Sequence, residues 1–285
     1  MSTYALSDPT RGFMMTVRGR IQSSELAPYE PRQSQADLKD CFFYHTMNFR
    51  DGSVAQGAWD LRGRFSDYIG HVSLNGCRVL DVGTASGFLS FSAEQAGACE
   101  VVSFDQDTAK RQHLLPFAGS LYMVDHASWV RNHDHAMQAW KNAYWYTHAD
   151  QVSNTKVVYG DVYDLPAGIG VFDVVILGAI LEHLGDPVRA IGSVSKICTT
   201  RLVINTDYIC GEEPMARFNG SPNFPDHNYI FWTYTIGTYR RILQICGFEI
   251  ERIYEDVFLG TPDEFGGLRP LMPRAAIVAR RVASP

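Results

Sequence analysis

The segment from residue 77 to residue 105 constrains the fold of this chain more than any other stretch. Its sequence is CRVLDVGTASGFLSFSAEQAGACEVVSFD. An apolar run ends at a turn of small residues, 83–87, after which apolar residues recur with helical spacing; a second apolar run then ends at Asp105. This order is typical of a β–α–β unit, whose glycine-containing turn lets backbone approach a ligand closely.

The acid at the end of the second run indicates which kind of ligand the unit binds. A carboxylate at the carboxyl edge of a parallel sheet accepts hydrogen bonds from the hydroxyls of a ribose. A dinucleotide site has the pattern G-x-G-x-x-G, whereas this chain has D-x-G-x-A-x-G from Asp81 to Gly87. The unit therefore predicts a cofactor that contains a nucleoside. The alternative is a turn that serves only packing.

These residues resemble the cofactor loop of class I S-adenosylmethionine-dependent methyltransferases. In that family the turn packs against the methionyl part of the cofactor, and Ala85 stands where glycine is more usual. Family members bind the adenine with an acid and an apolar residue after the third strand, and they line the methionyl end with small residues after the fourth. The resemblance implies S-adenosylmethionine as cofactor and S-adenosylhomocysteine as product. The implied cofactor-binding residues are Asp81, Gly83, Thr84, Ala85, Gly87, Asp105, Gln106, Asp161, Val162, Leu177, Gly178 and Ala179.

The rest of the chain is consistent with an α/β fold. Further apolar runs predict strands at 156–159, 172–177, 201–207, 248–254 and 275–282. The resemblance implies a Rossmann-like, doubly wound, seven-stranded sheet with helices on both faces, formed by residues 71–285. Residues 1–70 are predicted to form an N-terminal arm and lid segment. Two insertions, 107–137 and 211–233, are expected to stand over the cofactor crevice, because loops at this edge of a sheet border the ligand.

Several side chains are candidates for catalysis or substrate contact. A hydroxyl, amine or carbon atom that accepts a methyl group can require a general base to remove its proton. Histidine suits this role because it titrates near neutral pH. His148, on a helix predicted over 136–149, and His227, in the second insertion, are the leading candidates; the alternative for each is packing or a surface position. The residues predicted to contact the substrate are Tyr29, Tyr44, Trp59 and His183. A structural role is the alternative for His183.

The segment before the cofactor loop carries a second resemblance. An aromatic–histidine run at 43–45, an Asp-Gly turn at 51–52 and the step GAWD at 57–60 resemble the corresponding segment of the tRNA wobble-uridine carboxymethyltransferase branch and its small-molecule relatives. Gln56 stands where proline is common in that branch. The resemblance indicates the position of this segment beside the cofactor loop rather than the substrate.

Composition and charge indicate which class of molecule accepts the methyl group. The formal net charge is −6 and no run of Lys and Arg is present, which disfavours a nucleic acid because its phosphates require a basic surface. Aromatic residues make up 12% of the chain, and they are concentrated in the arm and the insertions. This favours an apolar pocket for a small, partly aromatic acceptor. A tRNA acceptor stays open as the alternative, as does a non-catalytic scaffold that only binds the cofactor.

Three further patterns bear on environment and assembly. No apolar stretch approaches the roughly 18 residues of a membrane span, and the first residues lack the layout of a secretion signal. The six cysteines show no C-x-x-C spacing, which argues against a zinc site or a disulfide framework. We therefore expect a cytoplasmic protein without a metal. The sequence is compatible with a homodimer.

Overall fold

A computed structural model describes residues 28–33, 37–109, 125–220, 230–258 and 272–283, without the side chains of His126 and Met272. Its strands and helices, in chain order, are β1 (Met47–Asn48), β2 (Val54–Ala55), α1 (Phe65–Tyr68), β3 (Arg78–Val82), α2 (Phe88–Gln95), β4 (Glu100–Asp105), α3 (His126–Asp150), β5 (Lys156–Tyr159), β6 (Phe172–Gly178), α4 (Pro187–Ser195), β7 (Cys198–Thr206), β8 (Ala216–Phe218), β9 (Trp232–Tyr234), α5 (Ile236–Ile245), β10 (Phe248–Phe258) and β11 (Met272–Arg281). Short 3₁₀ turns lie at Leu38–Asp40 and Leu181–His183.

One sheet of seven strands organises the described residues, in the order β10-β11-β7-β6-β3-β4-β5. Its strands β5, β4, β3, β6 and β7 run parallel, whereas β11 is antiparallel to both β7 and β10. From β3, the middle one of the five parallel strands, the chain moves outward first through β4 and β5, and then on the other side through β6 and β7. Ligands bind at such a reversal, beyond the carboxyl ends of the strands. The predicted seven-stranded α/β fold is confirmed.

Helices cover both faces of the sheet because each parallel strand is apolar on both sides. Successive side chains of a strand point to opposite faces, so that Leu80 and Val102 pack with residues of α4 and α5, while Val79 and Val101 pack with residues of α1, α2 and α3. The caps fix where these helices begin. The Asp186 carboxylate, for example, accepts a hydrogen bond from the Arg189 amide at the start of α4.

Residues before the sheet contribute to its core. The side chains of Phe43, Met47, Leu61 and Ile69 are buried in the cluster that includes Val79, and β1 pairs with β2 in a short hairpin. The described part of the predicted N-terminal arm and lid is therefore packed against the domain from Phe43 onward. Residues 1–27 and 34–36 of that prediction lie outside the described residues.

The two predicted insertions contain regular structure. The helix predicted over 136–149 begins earlier, at His126, because the Asp125 carboxylate caps it by accepting a hydrogen bond from the Ser128 amide. Residues 126–137 are thus helix rather than loop. In the second insertion β8 pairs with β9, and residues 110–124 and 221–229 lie outside the described residues. Within the described ranges, no helix combines the length and apolar character needed to cross a membrane.

Candidate active site at the carboxyl edge of the sheet

The turn after β3 is fixed against the end of β4. The Gly83 amide donates to the Phe104 carbonyl at 2.8 Å, and the Ala85 amide donates to Asp105 Oδ2 at 2.8 Å. Gly83 and Gly87 have positive φ angles of 81° and 91°, and Ala85 also has a positive φ of 47°. The left-handed region suits glycine but strains alanine. Backbone strain at a functional site persists only where the surrounding contacts impose it.

Replacing Ala85 by Gly is expected to raise the free energy of unfolding of the ligand-free protein by up to about 1 kcal/mol, because glycine removes the left-handed strain. Val152→Gly is the matched control, since Val152 has a φ of 53° but is exposed after α3, away from the turn. Chemical denaturation measures both. Stabilisation by Val152→Gly together with destabilisation by Ala85→Gly would contradict strain at Ala85.

Asp105, the last residue of β4, presents a carboxylate at the crevice. Its Oδ2 accepts from the Ala85 amide and its Oδ1 from the Gln106 amide, each at 2.8 Å. Burial raises the pKa of this carboxyl group, and the two amide hydrogen bonds oppose that effect. Each carboxylate oxygen accepts more than one hydrogen bond. Asp105 therefore has acceptor capacity left for hydroxyls of a bound ribose.

The residues predicted to bind the adenine lie beside Asp105. The Gly160 amide donates to the Asp105 carbonyl at 2.8 Å, which holds the turn after β5 against the end of β4. In that turn Asp161 Oδ1 accepts from the Tyr163 amide at 2.8 Å, and Val162 is buried. Gln106, on the other side, has its Nε2 3.5 Å from His133 Nε2 of α3. The structure thus brings Asp105, Gln106, Asp161 and Val162 together.

Asp81, beneath the turn, is fully buried and belongs to a chain of polar side chains. Its Oδ2 accepts from the Ser90 hydroxyl at 2.6 Å, and Ser103 continues the chain from Ser90 to the Tyr144 hydroxyl. Its Oδ1 has no hydrogen-bond partner among the described residues. Burial raises the pKa of Asp81 to about 6. An unpaired buried oxygen at this place is consistent with a hydrogen-bond donor on a bound cofactor.

The raised pKa of Asp81 predicts a pH-dependent stability. An exposed Asp titrates at 3.8 and folded Asp81 at about 6, so the folded state binds this proton more tightly than the unfolded state. The contribution of Asp81 to stability is fully present below about pH 4 and is lost as the pH rises through about 6. We expect Asp81→Asn to stabilise the ligand-free protein at pH 8 by about 1 kcal/mol, since the unpaired amide offsets part of the gain.

Denaturation curves of wild type and Asp81→Asn at pH 4.5 and pH 8 measure this effect. The advantage of the variant is expected to shrink towards the lower pH. An advantage that stays constant across this range would show that Asp81 does not titrate as described.

The end of β6, which is predicted to line the methionyl part of the cofactor, forms another side of the crevice. Leu177 is fully buried, and the Ala179 amide donates to the Asn205 carbonyl at 2.8 Å. Ala179, like Ala85, has a positive φ, here 54°. A Cβ atom on Gly178 would lie 2.5 Å from Leu89 Cδ1 and 3.5 Å from the Tyr68 hydroxyl. A side chain at this position would therefore require Leu89 to move, and the Tyr68 side chain reaches the same edge.

A buried polar cluster lies beyond β6, at the ends of β7 and β11. The Arg274 guanidinium donates to Glu182 Oε1 at 2.6 Å and to Asn205 Oδ1 at 2.7 Å. Burial alone would raise the pKa of Glu182, but Arg274 holds that pKa below its usual range. Glu182 Oε2 is buried without a partner among the described residues. Asp207 accepts from the Thr233 hydroxyl at 3.0 Å, and burial raises its pKa.

Three of the predicted substrate residues lie near this edge. The Tyr44 amide donates to Ser86 Oγ of the cofactor turn at 3.2 Å, and the Trp59 amide donates to the Tyr44 carbonyl at 3.0 Å. His183 lies in the 3₁₀ turn after β6, directly after Glu182 in the chain. Contact of these three residues with a substrate stays a prediction.

Two other candidates lie elsewhere and require correction. His148 is buried, with its Nε2 3.1 Å from the Thr155 carbonyl; Thr155 precedes β5, about 13 Å along the strand from the carboxyl edge. Tyr29 accepts a hydrogen bond from Arg78, the first residue of β3, at 3.0 Å. Both residues are therefore at the amino edge, and we assign them to packing. His227 lies outside the described residues.

Sequence reasoning missed several residues of the crevice as site candidates. They are His45, Tyr68, Glu182, Asn205, Asp207 and Arg274. The aromatic run at 43–45 was a sequence signal for His45. Burial lowers the pKa of His45 to about 3, so that its ring is neutral at physiological pH. The others carry no local motif. Within the described ranges, no group of three or more His, Cys, Asp and Glu side chains is placed to hold a metal ion.

Comparison with known proteins adds to this geometry. Residues 33–253 match the model of a family described as a methyltransferase domain. A search of curated proteins finds no match. Among solved structures, a protein from Bacillus halodurans C-125 titled as a methyltransferase is 13% identical, with a TM-score of 0.51 over 78% of this chain and 100% of that one. The YcgJ protein from Bacillus subtilis is 11% identical, with a TM-score of 0.50 over 79% and 100%.

Proposed function

The chain belongs to the methyltransferase domain family, and from this premise we propose that it transfers a methyl group from S-adenosylmethionine to a small, partly aromatic acceptor. Among the described residues the cofactor candidates meet at one edge of the sheet, and an unpaired buried oxygen, Asp81 Oδ1, lies beneath the turn. These residues fit the cofactor. S-adenosylmethionine, when bound, supplies a methyl group on a positively charged sulfur.

The choice of acceptor rests on the aromatic rings and the charged side chains of the crevice beyond Gly178. Aromatic rings adjoin it: Tyr68 packs edge-on against Phe258 at 5.1 Å, and Tyr44 packs against His45 at 4.9 Å. The charged groups there are two carboxylates, those of the buried Glu182 and the half-buried Asp207, against the guanidinium of Arg274. An aromatic, net acidic surface favours a small molecule with an aromatic body and hydrogen-bond donors over a polyanion.

The side chains have distinct roles in this proposal. Asp105 would hold the ribose, Asp161 and Val162 the adenine, and the turn with Asp81 the methionyl part. Proximity and alignment of the acceptor atom with the methyl group then supply much of the rate acceleration. Asp207 and His183 are the candidates to accept a proton from the acceptor.

The experiment that tests the proposal is a product-mass screen with cofactor carrying a trideuterated methyl group. The panel contains phenols, aromatic amines, heteroaromatic N–H compounds and aromatic carboxylates, each with bulk tRNA as a parallel sample. We expect a labelled product from an aromatic compound that offers a hydrogen-bond donor. Label only in tRNA, or in no sample, would contradict a small-molecule acceptor.

A tRNA acceptor is the second candidate, supported by the resemblance of residues 43–60 to the wobble-uridine branch. It requires binding that weakens steeply with salt, because phosphate contacts release counterions. A gel-shift titration at two salt concentrations tests it. Absence of a salt-dependent complex would leave the small-molecule acceptor as the only proposal.

A further inference from the structure

Helix α3 forms part of the wall of the crevice around Asp105. A small concavity there is lined by Ala85, Asp105, Gln106, Met137, Trp140, Lys141 and Tyr159. Three of these residues belong to α3, which the resemblance does not include among the cofactor-binding elements. A ligand contact made by α3 would therefore be additional to the contacts that the resemblance implies.

Trp140 lines this concavity and carries a hydrogen-bond donor that is not used within the described residues. Its indole Nε1 is buried and has no acceptor among the described residues. The ring is held by aromatic neighbours on several elements, with centroids 6.4 Å from Phe42, 6.4 Å from Tyr44 and 5.8 Å from His133. Buried donors are nearly always paired. A fixed ring with an unpaired N–H, on a residue that shares the concavity with Asp105, thus indicates a missing acceptor.

Three other donors around Asp105 already have partners. The amides of Ala85 and Gln106 donate to the Asp105 carboxylate. The Lys141 ammonium donates to the Asp107 carbonyl at 2.8 Å and lies 4.2 Å from the centre of the Tyr159 ring. Lys141 is thereby tied to the loop after β4. Unlike these three donors, the Trp140 N–H has no partner among the described residues and remains for a ligand.

The pairing of a carboxylate with a free N–H selects the kind of ligand group. An anion would be repelled by Asp105, and a cation offers nothing for the indole to donate to. A hydroxyl both donates and accepts, so it donates to Asp105 and accepts from Trp140 at once. Two neighbouring hydroxyls, as in a ribose, suit a concavity lined by both groups.

We propose that the Trp140 indole N–H donates a hydrogen bond to a ribose hydroxyl of the cofactor, so that α3 forms a second wall of the ribose site. This assignment rests on the proposed use of S-adenosylmethionine. It makes Trp140 a cofactor-binding residue in addition to the loop residues that the family pattern implies.

Calorimetric titration with S-adenosylhomocysteine tests the assignment in wild type, Trp140→Phe and Trp145→Phe. Trp140→Phe keeps an aromatic ring and removes the N–H, and we expect binding about 3- to 10-fold weaker. Trp145 is the matched control, because it is buried on the same helix against Tyr144 and His148 and does not line the concavity. We expect its replacement to change the affinity less than about twofold.

A second titration identifies the group that Trp140 contacts. With 5′-methylthioadenosine the Trp140→Phe effect should persist, whereas with its 2′,3′-dideoxy counterpart it should disappear. Equal affinities of wild type and Trp140→Phe for S-adenosylhomocysteine, or an equal loss in both Trp variants, would overturn the assignment and leave the proposed function standing. No binding to wild type would overturn both.

Discussion

Replacing Arg274 by Met is expected to lower the free energy of unfolding by about 3–5 kcal/mol, because it leaves Glu182 as a buried carboxylate without its counter-charge. The Arg274 and Glu182 side chains are only 9% and 2% exposed. Arg274 also donates to the side chain and the carbonyl of Asn205. The same change therefore loosens the end of β7 beside the crevice.

A double-mutant cycle separates the ion pair from general packing. Glu182→Gln combined with Arg274→Met should recover a large part of the loss, since no buried charge is then unpaired. The exposed pair of Arg280 and Glu249, whose side chains are 53% and 52% exposed, is the matched control. Breaking it should cost less than about 1 kcal/mol. Urea denaturation measures all variants. A similar small loss at both pairs would contradict the role of Arg274.

Replacing Asp105 by Ala is expected to weaken binding of S-adenosylhomocysteine by about 1–3 kcal/mol, or roughly 5- to 150-fold. The variant loses the acceptor for the ribose hydroxyls. It also loses the acceptor of the Ala85 and Gln106 amides, so the turn after β3 is no longer fixed to the end of β4. Both effects reduce affinity, and calorimetry measures their sum.

The control for Asp105 lies at the opposite edge of the sheet. Asp173 in β6 also accepts a hydrogen bond from a backbone amide, that of Arg78 at 2.8 Å. Asp173→Ala should lower stability without changing the affinity for S-adenosylhomocysteine. Unchanged affinity in Asp105→Ala, or an equal loss in Asp173→Ala, would show that the carboxylate of Asp105 does not bind the cofactor.

The sequence alone indicated which candidate cofactor residues meet at one edge of the sheet, because the determinants of their position are local. A strand, a turn with positive φ angles and a helix follow one another within residues 77–105, and each step has its own sequence pattern. The same holds for residues 160–164 and 177–179, which follow strands directly. Parallel strands then bring these short segments to one edge, so that their meeting follows from topology alone.

The polar cluster around Arg274, where we propose that the acceptor binds, depends on contacts between distant segments, which no sequence pattern reveals. Arg274 and Glu182 are 92 residues apart, and Asn205 and Tyr68 are 137 residues apart. Single polar residues within apolar strands carry no signal of their partners. His148 misled for a related reason: its place on a helix was predictable, but which end of that helix approaches the crevice was not.

Titration of the wild-type protein with S-adenosylhomocysteine, followed by calorimetry and by the shift in Tm, tests the central claim most directly. The account predicts saturable binding at one site per chain and a Tm that rises with ligand concentration, by the equivalent of about 2.7 kcal/mol at 100 times Kd. No heat of binding and an unchanged Tm up to about 1 mM, the upper end of the usual range for enzyme substrates, would contradict it.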